Sequence, residues 1–308
     1  MLALLLVSCV FAGAAAAATP AHGVDGGIEW DISEDGTLTI SAADTPETGY
    51  AKGEMKDYIN SSSAPWMTSK SDLKTLVIND GVAKIGDLAF AWCTDFTGSL
   101  LLPSSLTTIG TQAFYSCSGF TGPLTIGNSV TTIGGQAFFQ CSGFTGSLII
   151  PDSVTTIGMR AFESCSGFTG VFIPAAVTTI GSDAFSGCTS LSIIYTAGNP
   201  ALLDGNYPSE VQLAATNGGK ITEFPAAPLL PSASQIVKEG STFLGWKDST
   251  GASVTEYVPK QTGVEGGKYF AQWSDTPAQK YTVTFDSNGG SAVSPAEVVS
   301  GSTRKSRL

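Results

Sequence analysis

The residues of this chain that could do chemistry are five regularly spaced cysteines, one histidine and a set of acids gathered near the start. Cys93, Cys117, Cys141, Cys165 and Cys188 recur at steps of 24, 24, 24 and 23 residues. Metal binding wants converging ligands, usually with C-x₂₋₄-C spacing, and that spacing does not occur here. Disulfides between neighbours are allowed by distance alone. Stacked strands lie about 4.8 Å apart, and a bridge accepts Cα separations of roughly 4.4–6.8 Å. But the side chains of a ladder point the same way, and five is an odd number. The pattern therefore favours buried free thiols acting as small apolar fillers, a state that in an exported protein would suit an anaerobic habitat.

The other candidates fail one by one. His22 is the single histidine, which excludes multi-histidine metal sites and histidine-dependent catalysis. General acid–base chemistry needs titratable groups within hydrogen-bond reach. From Phe96 to Ser182 the charged residues are Asp152, Arg160 and Glu163 alone, and the last two read as a surface i,i+3 ion pair. Asp31-x-Ser33-x-Asp35-Gly36 opens like a calcium loop, but Ala42 stands where the bidentate Glu belongs. An Asp-Gly hairpin turn explains the segment better. Gly-Gly-Lys at 218–220 and 266–268 lacks the upstream Gly spacing and the Ser/Thr of a phosphate loop. The expectation is a protein with no catalytic residues, no cofactor and no metal.

Charge and the ends of the chain narrow the setting. The formal net charge is −11, and Asp25, Glu29, Asp31, Glu34, Asp35, Asp44, Glu47, Glu54 and Asp57 crowd the beginning. Such a chain gains nothing from nucleic acid or anionic lipid, and the acids read as a solvated face. Residues 1–18, MLALLLVSCVFAGAAAAA, are an apolar run ending in small residues, with Ala16-Ala17-Ala18 as a cleavage signal. They read as a signal peptide. No later stretch is long and apolar enough to span a bilayer. The expected protein is secreted or held at the cell surface, and monomeric.

What positions these residues is a repeat. Ile85-Gly86, Ala89-Phe90 and Cys93 return as Ile109-Gly110, Ala113-Phe114 and Cys117, then three times more, ending at Ile180-Gly181, Ala184-Phe185 and Cys188. A period in the twenties implies a solenoid. In each unit a short alternating stretch such as Leu148-Ile149-Ile150 predicts a strand, and Pro151 stops it. Val154-Thr155-Thr156-Ile157 predicts a second short strand, Gly158 turns the chain, and 159–165 predicts a helical or 3₁₀ turn. The fold class is mainly β: a leucine-rich-repeat solenoid of period 23–24, with a strand and a short helical turn per repeat.

The stretch SLIIPDSVTTIGMRAFESC and its copies resemble the BspA-type leucine-rich repeat of bacterial surface proteins. The leader GIEWDISEDGTLTISA, GEMKDY and APW is similar to what precedes it in that family. STFLGWKDSTGASVTEYVPKQTGVEGGKYFAQW resembles the Listeria–Bacteroides repeat, which implies a small β-grasp-like module, and YTVTFDSNGGSAV resembles the opening of a second. The expected organisation is a signal peptide over 1–18, a β-rich cap over 24–70 and a solenoid over 71–197. A Listeria–Bacteroides repeat over 205–273, a linker over 274–280 and an incomplete second repeat over 281–308 follow. The resemblance implies an adhesin that binds protein or glycan of a host or neighbouring cell. The rival readings are a structural spacer of the envelope and a glycan-binding module using Trp92, Tyr115 and Phe139.

One row of residues is a candidate for that binding. Val77, Leu101, Thr125, Ile149, Phe172 and Tyr195 follow the repeat steps at the strand position that faces away from the core. A solvent-facing row should be polar, and this one is mostly apolar or aromatic. Exposed apolar strips usually mark interaction sites. Cover by the C-terminal module, or plain β-propensity, is the competing explanation.

Overall fold

A computed structural model describes residue 18, residues 21–203, and then 206–208, 211–216, 220–221, 230–254, 267–274, 280–283 and 296–299. For 220–221, 280–283 and 296–299 it gives the backbone course alone. The signal peptide read over 1–18, apart from Ala18, and most of the second repeat read over 281–308 lie outside the described residues.

The chain opens with three antiparallel strands, Ala21–Asp25, Ile28–Ile32 and Thr37–Ala42. They alternate as half-buried strands must: Ile28, Ile32, Leu38 and Ile40 are buried, while Glu29 and Asp31 face water. The Asp-Gly segment is a hairpin turn, closed by the Ser33 N–H donating to the Thr37 carbonyl and by Gly36 at φ 81. Thr37–Ala42 then pairs in parallel with Thr75–Ile78. The cap thus pairs directly with the first strand of the repeat region. A 3₁₀ segment, Pro65–Asp72, closes it.

Each later coil contributes to three columns. In the first, Lys84–Ile85, Thr108–Ile109, Thr132–Ile133, Thr156–Ile157 and Thr179–Ile180 form a five-stranded parallel ladder with isoleucine on isoleucine. In the second, the longer strands Gly146–Ile149, Phe168–Ile173 and Ile193–Thr196 pair in parallel. Between them lies the aromatic filling. Phe90, Phe114, Phe138, Phe162 and Phe185 stack with ring centroids 5.3–5.5 Å apart. Phe96, Phe120, Phe144 and Phe168 form a parallel column that meets the first edge to face. Edge-to-face and offset contacts are the favoured aromatic arrangements.

The third column corrects the sequence reading. The Ala-Phe turn is not helical. It is a chain of tight turns in which two residues per coil take left-handed backbone angles. One set is Leu88, Gln112, Gln136, Arg160 and Asp183, at φ 55–60; the other is Trp92, Ser116, Gln140, Ser164 and Gly187, at φ 56–68. A helix would aim every N–H along its own axis. Here alternate N–H groups point sideways into the next coil. The amides of Gln112, Phe114 and Ser116 donate to the carbonyls of Gly135, Ala137 and Phe139 at 2.7–2.8 Å, and the neighbouring coils repeat the pattern. Left-handed geometry costs a non-glycine residue roughly 1–2 kcal/mol, and the hydrogen bonds to the next coil offset it.

A column of this kind ends in unsatisfied groups unless something closes it. At the start, Trp66 stacks on Phe90 at 5.5 Å, and its indole N–H donates to the Ala89 carbonyl at 2.9 Å. At the far end, the Asn206 side-chain oxygen accepts from the Asp183 amide, and its backbone carbonyl accepts from the Phe185 amide. One asparagine stands in for two carbonyls of a missing coil.

Part of the C-terminal region joins the solenoid's sheet. Gln212–Ala215 pairs in parallel with Ile193–Thr196, Lys268–Ser274 pairs with Gln212–Ala215, and Thr242–Asp248 adds antiparallel outside. Within the stretch read as a module over 205–273 these strands continue the solenoid's sheet, while Lys220–Ile221 and Ile236–Val237 pair antiparallel as a separate two-stranded sheet. Ser274, read as linker, ends one of them.

The five repeat cysteines are buried, and none is in a disulfide. Cys117, Cys141 and Cys165 each donate an S–H to the carbonyl of a phenylalanine in the preceding coil at 3.0 Å, and Cys188 does so at 3.1 Å. Burial pushes the thiols of Cys93 and Cys141 up to about 12, and those of Cys117 and Cys165 well above the ordinary value. Thiolate is the reactive form, so these sulfurs are inert on two counts.

Two measurements check this architecture. A Cβ on Gly134 would sit 2.5–2.6 Å from the backbone of Gly110, whereas one on Gly146 would meet nothing within 4 Å. Gly134→Ala should lower urea stability by about 3 kcal/mol through overpacking. Gly146→Ala, strained only by its φ, should cost about 1 kcal/mol. Equal losses would mean that the coils do not approach this closely. In protein beginning at residue 18, a thiol reagent at pH 8 should find almost no cysteine in the folded state and about five equivalents after denaturation without reductant. Recovery of one equivalent would mean that four cysteines are paired.

Candidate interaction surface

The outward strand positions are in register within each of three stretches. His22 lies opposite Asp31, Asp31 opposite Thr39, and Thr39 opposite Val77. Leu101 bridges to Thr125 in the next coils. Ile149 pairs with Phe172, Phe172 with Tyr195, Tyr195 with Ala214, and Ala214 with Tyr269. Paired residues share a face, and the repeat steps relate Val77 to Leu101 and Thr125 to Ile149, the two links that no strand pairing makes. The row also runs further in both directions than the repeat period indicates.

Exposure divides this row in two. Val77 is 38 % exposed, Leu101 73 % and Ile149 53 %, and Thr125 is exposed as well. Phe172 and Tyr195 are not: they are 5 % and 1 % exposed. The expectation that they face solvent is corrected, and the cause is the C-terminal region. Tyr269, Ala271 and Trp246 extend the same sheet sideways, and Leu230 and Ile236 from outside it join them around Phe172 and Tyr195 in a second apolar cluster, separate from the coil interior. Trp246 is fixed there by its N–H to the Pro231 carbonyl at 2.9 Å, and Trp273 by its N–H to the Thr216 carbonyl at 2.8 Å.

At the other end the row turns acidic. His22, Glu29, Asp31, Thr39 and Ser41 line an open cleft of about 320 Å³ on the same face. One Glu29 oxygen accepts from the Asp44 amide at 3.1 Å. Neither Glu29 nor Asp31 has a lysine or arginine within ion-pair distance among the described residues. The nearby acids are spent differently. Lys56 bridges Asp25 and Glu47 at 2.6 Å each, and Tyr58 donates to Asp25 at 2.7 Å. Burial and the Asp25 carboxylate push the Tyr58 hydroxyl well up, and both acids hold the Lys56 ammonium charged. That cluster ties the cap together. Sequence reading treated Glu29 and Asp31 as generic solvated charge. Their alternation in Ile28-Glu-Trp-Asp-Ile32 did signal an outward pair, but their register with Val77 depends on a parallel pairing that no local pattern announces.

The other aromatic candidates lie on the turn edge. Trp92 is 45 % exposed and leans on Tyr115 with centroids 5.0 Å apart, and Tyr115 stacks on Phe139 at 4.6 Å. Tyr115 therefore has a ring on either side. Arg160 and Glu163 form the expected ion pair at 3.3 Å, with Asp183 also near Arg160 at 3.8 Å. Among the described residues no group of His, Cys, Asp or Glu could hold a metal ion, and no helix is long and apolar enough to cross a membrane.

Comparison with known proteins agrees with the repeat geometry. Residues 67–192 match the family described as the BspA type leucine rich repeat region, in six copies. Solved structures with related shapes include a leucine rich repeat protein of T. pallidum, 22 % identical, covering 62 % of this chain and 84 % of that one with a TM-score of 0.42. A leucine rich cell surface protein of Faecalibacterium prausnitzii is 27 % identical, covering 59 % and 56 % with a TM-score of 0.39. A stretch of 71 residues, 22 % of this chain, is 39 % identical to a protein of Evansella cellulosilytica named as a Gly-rich membrane protein. The chain spans 8 % of that relative's length, and 13 % of a second relative from the same organism. Column spacing and strand register make residues 67–192 a β-solenoid of about six turns, the stretch that matches the BspA type leucine rich repeat family.

Proposed function

We propose that this chain is a non-catalytic, extracellular or cell-surface binding protein, an adhesin that holds a macromolecule against the outward face of its strands. The observation that carries this reading is the divided row. Val77, Leu101, Thr125 and Ile149 stay exposed on a face whose other half, at Phe172 and Tyr195, is covered. Leucine and isoleucine in open water contribute nothing to the coil interior, and exposed apolar strips usually mark contact sites. The leader over 1–18 and the repeat family support a location outside the cell. The coils hold buried thiols and few charged side chains, which supports binding over catalysis.

The glycan-module reading gains less support. A sugar stacks on an open ring face, and Tyr115 has Trp92 on one side and Phe139 on the other.

Two double variants test the proposal. Leu101→Ser with Ile149→Ser should change stability by about 0.5 kcal/mol, as expected for exposed sites. Phe172→Ser with Tyr195→Ser should cost more than about 3 kcal/mol, since both are buried. Beads coated with each protein are then scored for retention on immobilised matrix proteins and on intact cells. The first variant should lose retention on the surface that holds the wild type. Unchanged retention would remove the row as the binding site.

A further inference from the structure

The exposed part of the row has a chemical polarity along its length, and this restricts what fits it. Resting on the proposal that this face is the binding site, we infer that its partner is an extended polypeptide segment with basic residues at one end and apolar side chains along the rest. The basic residues lie over Glu29 and Asp31, and the apolar ones over Val77, Leu101 and Ile149.

Three observations carry this. First, the row is continuous from His22 and Asp31 through Thr39 to Val77 by strand register, and reaches Ile149 by the repeat. Seven strand positions at about 4.8 Å give a track of roughly 29 Å, the reach of about nine extended residues. Second, the carboxylates at its start lack a lysine or arginine partner among the described residues and border an open cleft of about 320 Å³. In a chain of net charge −11 they attract a cationic segment. Third, the far end of the same row already accepts polypeptide. Phe172 and Tyr195 bury in one cluster with Leu230 and Ile236 of this chain's own C-terminal region, which lie outside the sheet that carries the row. The uncovered part continues that contact in the same register through Ile149 and Phe172.

The arrangement excludes some partners by sign. An anionic polymer or lipid surface would meet Glu29 and Asp31 at one end and an uncharged apolar strip along the rest. A purely basic segment would leave Leu101 and Ile149 in water. Charge at one end sets orientation and association rate, while apolar burial sets residence time.

The test uses the full chain and three labelled decapeptides read by fluorescence anisotropy. One carries three Arg followed by alternating Ser and Leu, one replaces Arg by Glu, and one replaces Leu by Ser. The mixed basic–apolar peptide should bind at least tenfold more tightly than either control, and more weakly at high salt. Glu29→Gln with Asp31→Asn should weaken it about tenfold and remove most of the salt dependence. Leu101→Ser with Ile149→Ser should weaken it similarly and leave the salt dependence in place. The amide oxygen that Glu29→Gln introduces can still accept from the Asp44 N–H, and melting curves verify that each variant is folded. Equal binding of the Glu and Arg peptides, or indifference to the Glu29→Gln and Asp31→Asn change, overturns the inferred partner class. If bead retention is still lost with Leu101→Ser and Ile149→Ser, the face remains the binding site for another partner. If retention survives that change, both readings fall.

Discussion

No coil of this solenoid can satisfy its own backbone. At the turn edge alternate amides point out of the coil, and each needs a carbonyl that belongs to the next one. That requirement fixes most of what else is seen. It sets the distance between coils, and so excludes a side chain at Gly110, Gly134 and Gly158, where any Cβ would strike the preceding backbone. It holds identical residues above one another, which makes the phenylalanine columns possible. It also obliges the two ends to be built differently from the middle: the Trp66 indole at the start, and Asn206 with both of its oxygens at the finish.

The same constraint explains where function can reside. Inward side chains are committed to stacking, and the thiols among them are committed to phenylalanine carbonyls. Outward strand residues take no part in the columns. They can change from coil to coil without disturbing the stack, as the series Val77, Leu101, Thr125 and Ile149 illustrates. The chain spends part of that face on itself, burying Phe172 and Tyr195 in a cluster with residues of its C-terminal region. What remains is a surface suited to holding a partner.

Much of this was legible in the sequence because stacking demands repetition. Ile on Ile, Phe on Phe and Cys on Cys are visible as a period, and Pro and Gly mark where strands stop and turn. The turn edge was not legible. Its left-handed positions carry Leu, Gln, Arg, Asp, Trp and Ser, with glycine at Gly187 alone. The usual marker for positive φ was absent, and a helical turn was the natural misreading. The covered half of the row was not legible either. Val171-Phe172-Ile173 and Ile193-Ile194-Tyr195 are unbroken apolar runs, but so are Leu76-Val77-Ile78, Leu100-Leu101-Leu102 and Leu148-Ile149-Ile150, whose middle residues stay exposed. An unbroken run is compatible with a strand buried on both faces, but it does not say which coil is covered. The join of the cap to the row, through Thr39 and Val77, rests on a parallel pairing between segments over thirty residues apart. No local pattern encodes that register.

Amide hydrogen exchange at the turn edge tests the central claim most directly. If each coil completes the one before it, the amides of Gln112, Phe114, Gln136, Phe138, Arg160 and Phe162 exchange only through global unfolding. Their protection then matches that of Ile109 and Ile133 in the parallel ladder. Exchange at those six amides as fast as in an exposed loop, with the ladder amides still protected, would show that the turns do not bond from coil to coil and would contradict the account.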